Sequence, residues 1–230
     1  MDDEQSLRRI AEFRSRAFPR LNLYARVGLS EIVRNRTAFI RRGNIAGRRY
    51  LDIGPGPNLH PDFVNLDFQW RRGIDLVWDV GQGIPLGDDS LAGVFSEHCI
   101  EHISLDAGNT MLAESFRILE PGGTLRVITP DGEEYLSGYQ DIMAGGTSQL
   151  PRGARDRYRD LYTPIMTVNR VFNQFGHRFI YDLETMRQLL QRIGFVDIHR
   201  SAFGEGRNPD LVIDTEWRKP GSLYVEATKP

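Results

Sequence analysis

A chain of 230 residues and 26.3 kDa is long enough for one α/β domain with a terminal extension and a core of its own. Hydrophobic residues make up 40% of it without an uninterrupted apolar run of about 18, which excludes a transmembrane helix, and the acidic start Met1-Asp2-Asp3-Glu4-Gln5 lacks the apolar stretch of a secretory signal. One cysteine, Cys99, excludes an internal disulfide and makes a reducing cytoplasm the expected setting.

The net charge of −2 is unevenly spread. Residues 1–49 hold twelve Arg against five acids, so the remainder of the chain carries −9. That basic stretch suits an anion-binding surface, a dimer contact or a solvated face. Within it, Leu7, Ile10, Ala11 and Phe13, then Leu21, Leu23, Tyr24, Val27, Ile32 and Val33, recur at near-helical spacing on either side of Pro19. Short helices forming a lid over residues 1–47, or merely capping a sheet, are expected, followed by a ligand-binding domain over 48–230.

In that domain the apolar runs predict strands at Arg49–Ile53, Phe63–Asp67, Leu76–Trp78, Gly93–Ser96, Thr124–Thr129, Phe195–Phe203 and Ser222–Thr228. Amphipathic helices are expected at Ala107–Leu119, stopped by Pro121-Gly122-Gly123, and at Leu183–Ile193, stopped by Gly194, with Asp182 as an N-cap. Alternation of strand and helix implies a mostly parallel, doubly wound sheet covered on both faces. Between Asp131 and Tyr181 the alternation fails: Gly145-Gly146-Thr147-Ser148 and Pro151-Arg152-Gly153 read as loop, and Arg155 to Tyr162 as a short charged helix. An insertion at about 132–180 would rise above the carboxyl ends of the strands, where such sheets bind ligands, and serve substrate recognition.

The stretch from Tyr50 to Asp67 carries most of the functional information. An apolar run ends in Asp52-Ile53-Gly54-Pro55-Gly56, and a second ends in Asn65-Leu66-Asp67. Glycines at 54 and 56 let the chain leave a strand in a tight turn and let a ligand approach closely. Asp67 falls where a doubly wound sheet offers a carboxylate to ribose hydroxyls. Leu59 stands where a dinucleotide fingerprint has its third glycine, Pro55, Pro57 and Pro61 crowd the turn, and ten residues between Gly56 and Asp67 leave no room for a crossover helix. A nucleoside ligand without phosphates fits better than NAD.

With Val77-Trp78-Asp79-Val80 after the third strand and Leu119-Glu120-Pro121-Gly122-Gly123-Thr124-Leu125 before the fifth, the chain resembles the class I S-adenosylmethionine-dependent methyltransferases over roughly residues 48–228. Gly176-His177-Arg178 and Tyr181-Asp182 are similar to bacterial members associated with glycan or secondary-metabolite pathways. The resemblance implies a Rossmann-like seven-stranded sheet of order 3-2-1-4-5-7-6 with strand 7 antiparallel. It also implies a cofactor, S-adenosylmethionine with S-adenosylhomocysteine as product, held by Asp52, Gly54, Gly56, Asp67, Phe68, Asp79, Val80 and Ser96. Asp79 would accept from the adenine amine while Val80 covers the ring.

Ser96-Glu97-His98-Cys99-Ile100-Glu101-His102 is the densest polar cluster in the chain. His98 to His102 matches H-x-x-E-H, the inverted zinc-protease pattern, which needs a long helix; the strand that precedes it argues against zinc, and no metal is expected. At the end of the fourth strand, Glu97 and His98 would stand beside the transferred methyl, with His98 as general base. Asp131, ending the fifth strand, and His177 complete the candidate catalytic set. His102, Tyr135, Arg178 and Tyr181 are candidate acceptor contacts, Arg178 by pairing with a phosphate or carboxylate. Cys99 is simplest as a small buried residue.

The expected activity is methyl transfer, most simply to a hydroxyl of a sugar, glycan or secondary metabolite. A nucleic-acid methyltransferase gripping its substrate with the Arg-rich N-terminus is the alternative, disfavoured by a pI near 6.2 and by the absence of an Asn-Pro-Pro-Tyr type motif at the fourth strand. A non-catalytic cofactor-binding protein is the third. The expected partner is a small-molecule or glycan acceptor, and a homodimer is compatible with the chain.

Overall fold

The computed structural model describes residues 23–36, 47–151 and 163–230. Most of the expected lid and the charged helix read at 155–162 lie outside the described residues. Helix α1 (Leu23–Val33) precedes a sheet of β1 (Tyr50–Ile53), β2 (Phe63–Asp67), β3 (Leu76–Val77), β4 (Leu91–Glu97), β5 (Leu119–Pro130), β6 (Val196–Ser201) and β7 (Ser222–Thr228). Helix α2 (Leu105–Ile118) joins β4 to β5, α3 (Gly132–Met143) and α4 (Pro164–Asn173) follow β5, and α5 (Leu183–Ile193) leads into β6. Among the described residues, no helix is long and apolar enough to cross a membrane.

The strands pair in the order β3-β2-β1-β4-β5-β7-β6, as expected. Every pairing from β3 to β5 is parallel, while β7 runs antiparallel to both β5 and β6. All five residues of β2 are buried, as a strand covered on both faces requires. One face packs Leu51, Val64, Val94 and Leu125 against Met111, Leu112 and Ile118 of α2 and Met186 and Leu190 of α5. Truncating such a buried leucine to alanine costs about 2–5 kcal/mol.

The helices have local causes. Ser104 caps α2 by accepting from the Ala107 N–H, and its buried residues recur as Gly108, Met111, Leu112 and Ser115. Asp182 caps α5 by accepting from Thr185 N–H, and left-handed Gly194 ends it.

Helix α3 was not expected from the pattern. Asp131 caps it by accepting from the Glu133 and Glu134 N–H groups, and both glutamates complement the helix dipole. Gly132 is its one buried residue, so it lacks the apolar stripe by which helices are recognised. Asp131 and Tyr181 meet in a single parallel bridge, and Gly132 N–H donates to Tyr181 O at 2.8 Å. The insertion therefore leaves and rejoins the fold at one point.

Candidate functional site

The turn after β1 is shaped by what lies beside it. Gly54, at φ +74°, donates its N–H to Leu66 O at 2.8 Å, and a Cβ there would collide with the Cys99 side chain. Gly56, at φ +59°, instead faces open space. Its N–H donates to Asp67 Oδ2 at 3.2 Å, while Asp67 Oδ1 accepts from Gln69 N–H at 2.8 Å. Asp67 is thus held in place with a lone pair left on each oxygen.

Asp52, at the end of β1, is 2% exposed, and its Oδ1 has no hydrogen-bond partner among the described residues. Burial, then the negative charges of Glu97 and Asp67, push its carboxyl well above the usual carboxylate range, against the opposing pull of Arg218. An enclosed carboxylate with an unpaired oxygen between two other acids is a site for a cation.

The corner beyond the ends of β2 and β3 is contacted from the N-terminal side. The Arg34 guanidinium lies 3.5 Å over the exposed ring of Phe68 and donates Nε–H to Phe68 O at 3.1 Å. Asn35 Oδ1 accepts from Asp79 N–H at 2.9 Å, and its Nδ2 donates to Gln82 Oε1 at 2.7 Å. Asp79 caps the 3-10 turn Val80–Gln82. Of the other expected cofactor contacts, Val80 packs in the core, and the fully buried Ser96 hydroxyl donates to Ile53 O at 3.1 Å, tying β4 to β1.

At the acceptor side, several candidate side chains are already engaged. Glu97 accepts from the Thr215 N–H, the Thr215 hydroxyl and Arg218 Nη1, at 2.8, 2.6 and 3.0 Å. Asp131, 1% exposed, caps α3 and pairs with Arg200 at 2.8 Å. Both carboxylates hold segments together at the ends of β4 and β5. Tyr181 is wholly buried in the core, and its hydroxyl has no hydrogen-bond partner among the described residues. Tyr135 is partly covered, with burial and then Glu134 pushing its hydroxyl up to about 12. Arg178 is exposed and donates its backbone N–H to Glu101 O at 2.7 Å.

His98 sits at φ +50°, a left-handed conformation that non-glycine residues adopt at a cost of order 1 kcal/mol. This bend turns the chain from β4 into the 3-10 turn Ile100–His102, so His98 and His102 do not share a long helix and the inverted zinc-protease arrangement is not formed. His98 Nε2 meets Ser222 Oγ at 2.8 Å, and that hydroxyl donates onward to Arg218 O at 2.5 Å. Having one proton, Ser222 accepts from Nε2–H, while His98 Nδ1 lies 3.2 Å from Glu101 Oε1.

Three histidines converge on Glu101, which is fully buried. Burial alone would raise its carboxyl, but His98, with Nδ1 3.2 Å away, and the charges of His102 and His177 outweigh it and hold the group at about 2. His177 meets His102 edge-on with ring centroids 4.9 Å apart. A cavity of about 550 Å³ lies between the insertion and the β6–β7 connection, lined by Glu134, Ile142, Leu150, Pro151 and Pro164 on one side and Pro220 on the other.

Thr215, Arg218 and Ser222 escape a reading of the sequence because they lie in or beside the long connection between β6 and β7, whose pattern is that of a plain hairpin link. Its length, 202–221, is the available signal, since connections of that size without an α-helix or strand are usually functional. Arg34 and Asn35 lie within a stretch whose pattern shows only a lid.

No protein-family model matches the chain, and no curated protein matches it. Solved structures do resemble it. A S-adenosylmethionine-dependent methyltransferase from Thermotoga maritima is 18% identical, with 90% of this chain and 95% of that one covered and a TM-score of 0.48. One from Archaeoglobus fulgidus is 14% identical over 89% and 94%, at 0.48, and one from Mesorhizobium loti 17% identical over 80% and 92%, at 0.46. The strand order carries the fold assignment: it is the one the motifs led us to expect for the class I methyltransferase fold.

Proposed function

We propose that the chain is an S-adenosylmethionine-dependent methyltransferase that methylates a hydroxyl of a small-molecule or glycan acceptor. The observation that carries the cofactor half is Asp52, an enclosed carboxylate with an unpartnered oxygen beside the glycine turn. The residues present fit the cofactor: Asp52 suits its α-ammonium group, Asp67 its ribose hydroxyls, and the open space at Gly56 its close approach. Phe68 and Asp79 would flank the adenine. Bound there, the cofactor supplies a methyl group already activated on a sulfonium.

The chain then has to align the acceptor and receive its proton. Of the candidate groups at the ends of β4 and β5, His98 keeps 21% of its side chain exposed, against 5% for Glu97 and 1% for Asp131. His98 is therefore our general base, acting in the tautomer that keeps its proton on Nδ1, toward Glu101 Oε1 at 3.2 Å, and leaves the lone pair on Nε2. The insertion over 132–180, with the cavity it lines, is the acceptor-recognition element in this scheme, and residues 1–47 are the lid, a role supported by the contacts of Arg34 and Asn35 at the nucleoside corner.

Calorimetry with S-adenosylhomocysteine tests the cofactor half. Wild type should bind, and Asp67→Ala should weaken binding by roughly 1.5–3 kcal/mol for each charge-assisted hydrogen bond that the carboxylate makes to the ribose. Unchanged affinity in the variant, or no binding by wild type, would remove the basis of the proposal. A methylation screen over sugar, polyketide and RNA acceptors tests the other half, and a product formed only on RNA would shift the function to nucleic-acid modification.

A further inference from the structure

Glu101, His102 and His177 each present a ligand atom, and these atoms all lie within 4.8 Å of one another. They come from two separate parts of the chain, the turn after β4 and the return of the insertion, so the cluster exists only in the folded protein. We propose that these three side chains form a binding site for a borderline divalent transition-metal ion, zinc first, that pins the insertion to the end of β4.

Three observations support it independently of methyl transfer, which itself needs no metal. First, Glu101 Oε1 is buried with no hydrogen-bond partner of good geometry among the described residues, although His98 Nδ1 and His102 Nε2 stand 3.2 and 3.8 Å away. A buried carboxylate oxygen faced by imidazoles but without an aligned hydrogen bond keeps a lone pair for a cation. Second, His177 Nδ1 lies 2.6 Å from Val171 O. A carbonyl only accepts, so Nδ1 carries the proton and the Nε2 lone pair is the one available to a metal. Metal-binding histidines are oriented in this way, by a backbone carbonyl on the other nitrogen. Third, two imidazoles and one carboxylate are the donor set of open zinc sites and of non-haem iron(II) sites.

The spacing is wider than a loaded site. Bonds of about 2.0–2.2 Å put tetrahedral ligand atoms about 3.3–3.6 Å apart, so loading requires the side chains to close by about 1 Å. The two histidines are only partly buried, which leaves an approach for the ion, and three protein ligands leave a fourth position for water or an acceptor oxygen. The H-x-x-E-H pattern thus contributes Glu101 and His102, while His177, 75 residues on, takes the place that the pattern would give to His98.

The test uses the full chain. Protein purified, stripped with a chelator and dialysed against zinc should hold one equivalent by metal analysis, and cobalt(II) should give the visible absorption of a low-coordinate site. Zinc should raise the melting temperature of wild type, and His102→Ala and His177→Ala should lose both the stoichiometric metal and that stabilisation. Each variant removes a partly buried ring, so circular dichroism checks that it folds. Retention of a full equivalent by both folded variants would place the metal elsewhere and overturn the proposal. Wild type that takes up no zinc and gives no cobalt spectrum would overturn it as well.

Discussion

Thr215 closes on Glu97 with both of its donors, its N–H on Oε1 at 2.8 Å and its hydroxyl on Oε2 at 2.6 Å. Arg218 adds a charged contact to the same carboxylate and donates to Glu97 O, so the β6–β7 connection is fastened across the end of β4. Glu97→Gln turns an amide group toward these donors, and it should cost about 2–4 kcal/mol in urea unfolding. If turnover fell while the unfolding midpoint held, Glu97 would be a substrate contact and not a latch.

Asp52 makes stability depend on pH. An acid whose folded pKa is raised contributes stability that is fully present below its unfolded value, about 3.9, and is lost as pH rises through the folded value. Asp52→Asn has no such loss. Urea midpoints of variant and wild type should coincide near pH 3 and separate as pH rises, the variant becoming the more stable. A gap independent of pH would contradict the assignment. Because a cationic ligand favours the ionised carboxyl, S-adenosylhomocysteine affinity should rise with pH in wild type and not in the variant.

Arg126 is fully buried beneath the sheet and pairs with Asp214 and Glu226 at 2.6 and 2.8 Å. Burial would lower its pKa, but these two acids outweigh burial and raise it. Arg126→Met leaves the two carboxylates enclosed without their shared guanidinium, His199 Nε2 lying 3.6 Å from Glu226, and should cost about 3–5 kcal/mol. Replacing all three side chains by apolar residues should recover much of that loss, and a triple variant no more stable than the single would show that the network is needed for packing.

His98→Ala should lower turnover about 10²–10⁴-fold, the usual contribution of a general base, with S-adenosylhomocysteine affinity nearly unchanged. Because position 98 is left-handed, His98→Asn serves as the companion variant, since asparagine tolerates that backbone. Near-normal turnover in both would leave catalysis to alignment alone.

The sheet was legible in the residues because its signals are local. The apolar runs ending at Ile53, Asp67 and Ser96, the glycines at 54 and 56, and the Pro121-Gly122-Gly123 stop each act over a few residues, and parallel strands buried on both faces must be apolar almost throughout. Asp182 and Gly194 delimited α5 for the same reason. Helix α3 was missed because its residues are mostly exposed and its start depends on a cap that serves equally well in a turn.

The partners of the polar residues were decided by tertiary structure alone. Nothing near Glu97 announces Thr215, and nothing near Glu101 announces His177, because these contacts form when two long connections fold back over the carboxyl ends of β4 and β5. A carboxylate or an imidazole has the same pattern in sequence whether it faces a ligand, a metal or a backbone N–H. What separates these outcomes is burial and the donors brought within about 3 Å, and both are set by chain segments tens of residues away.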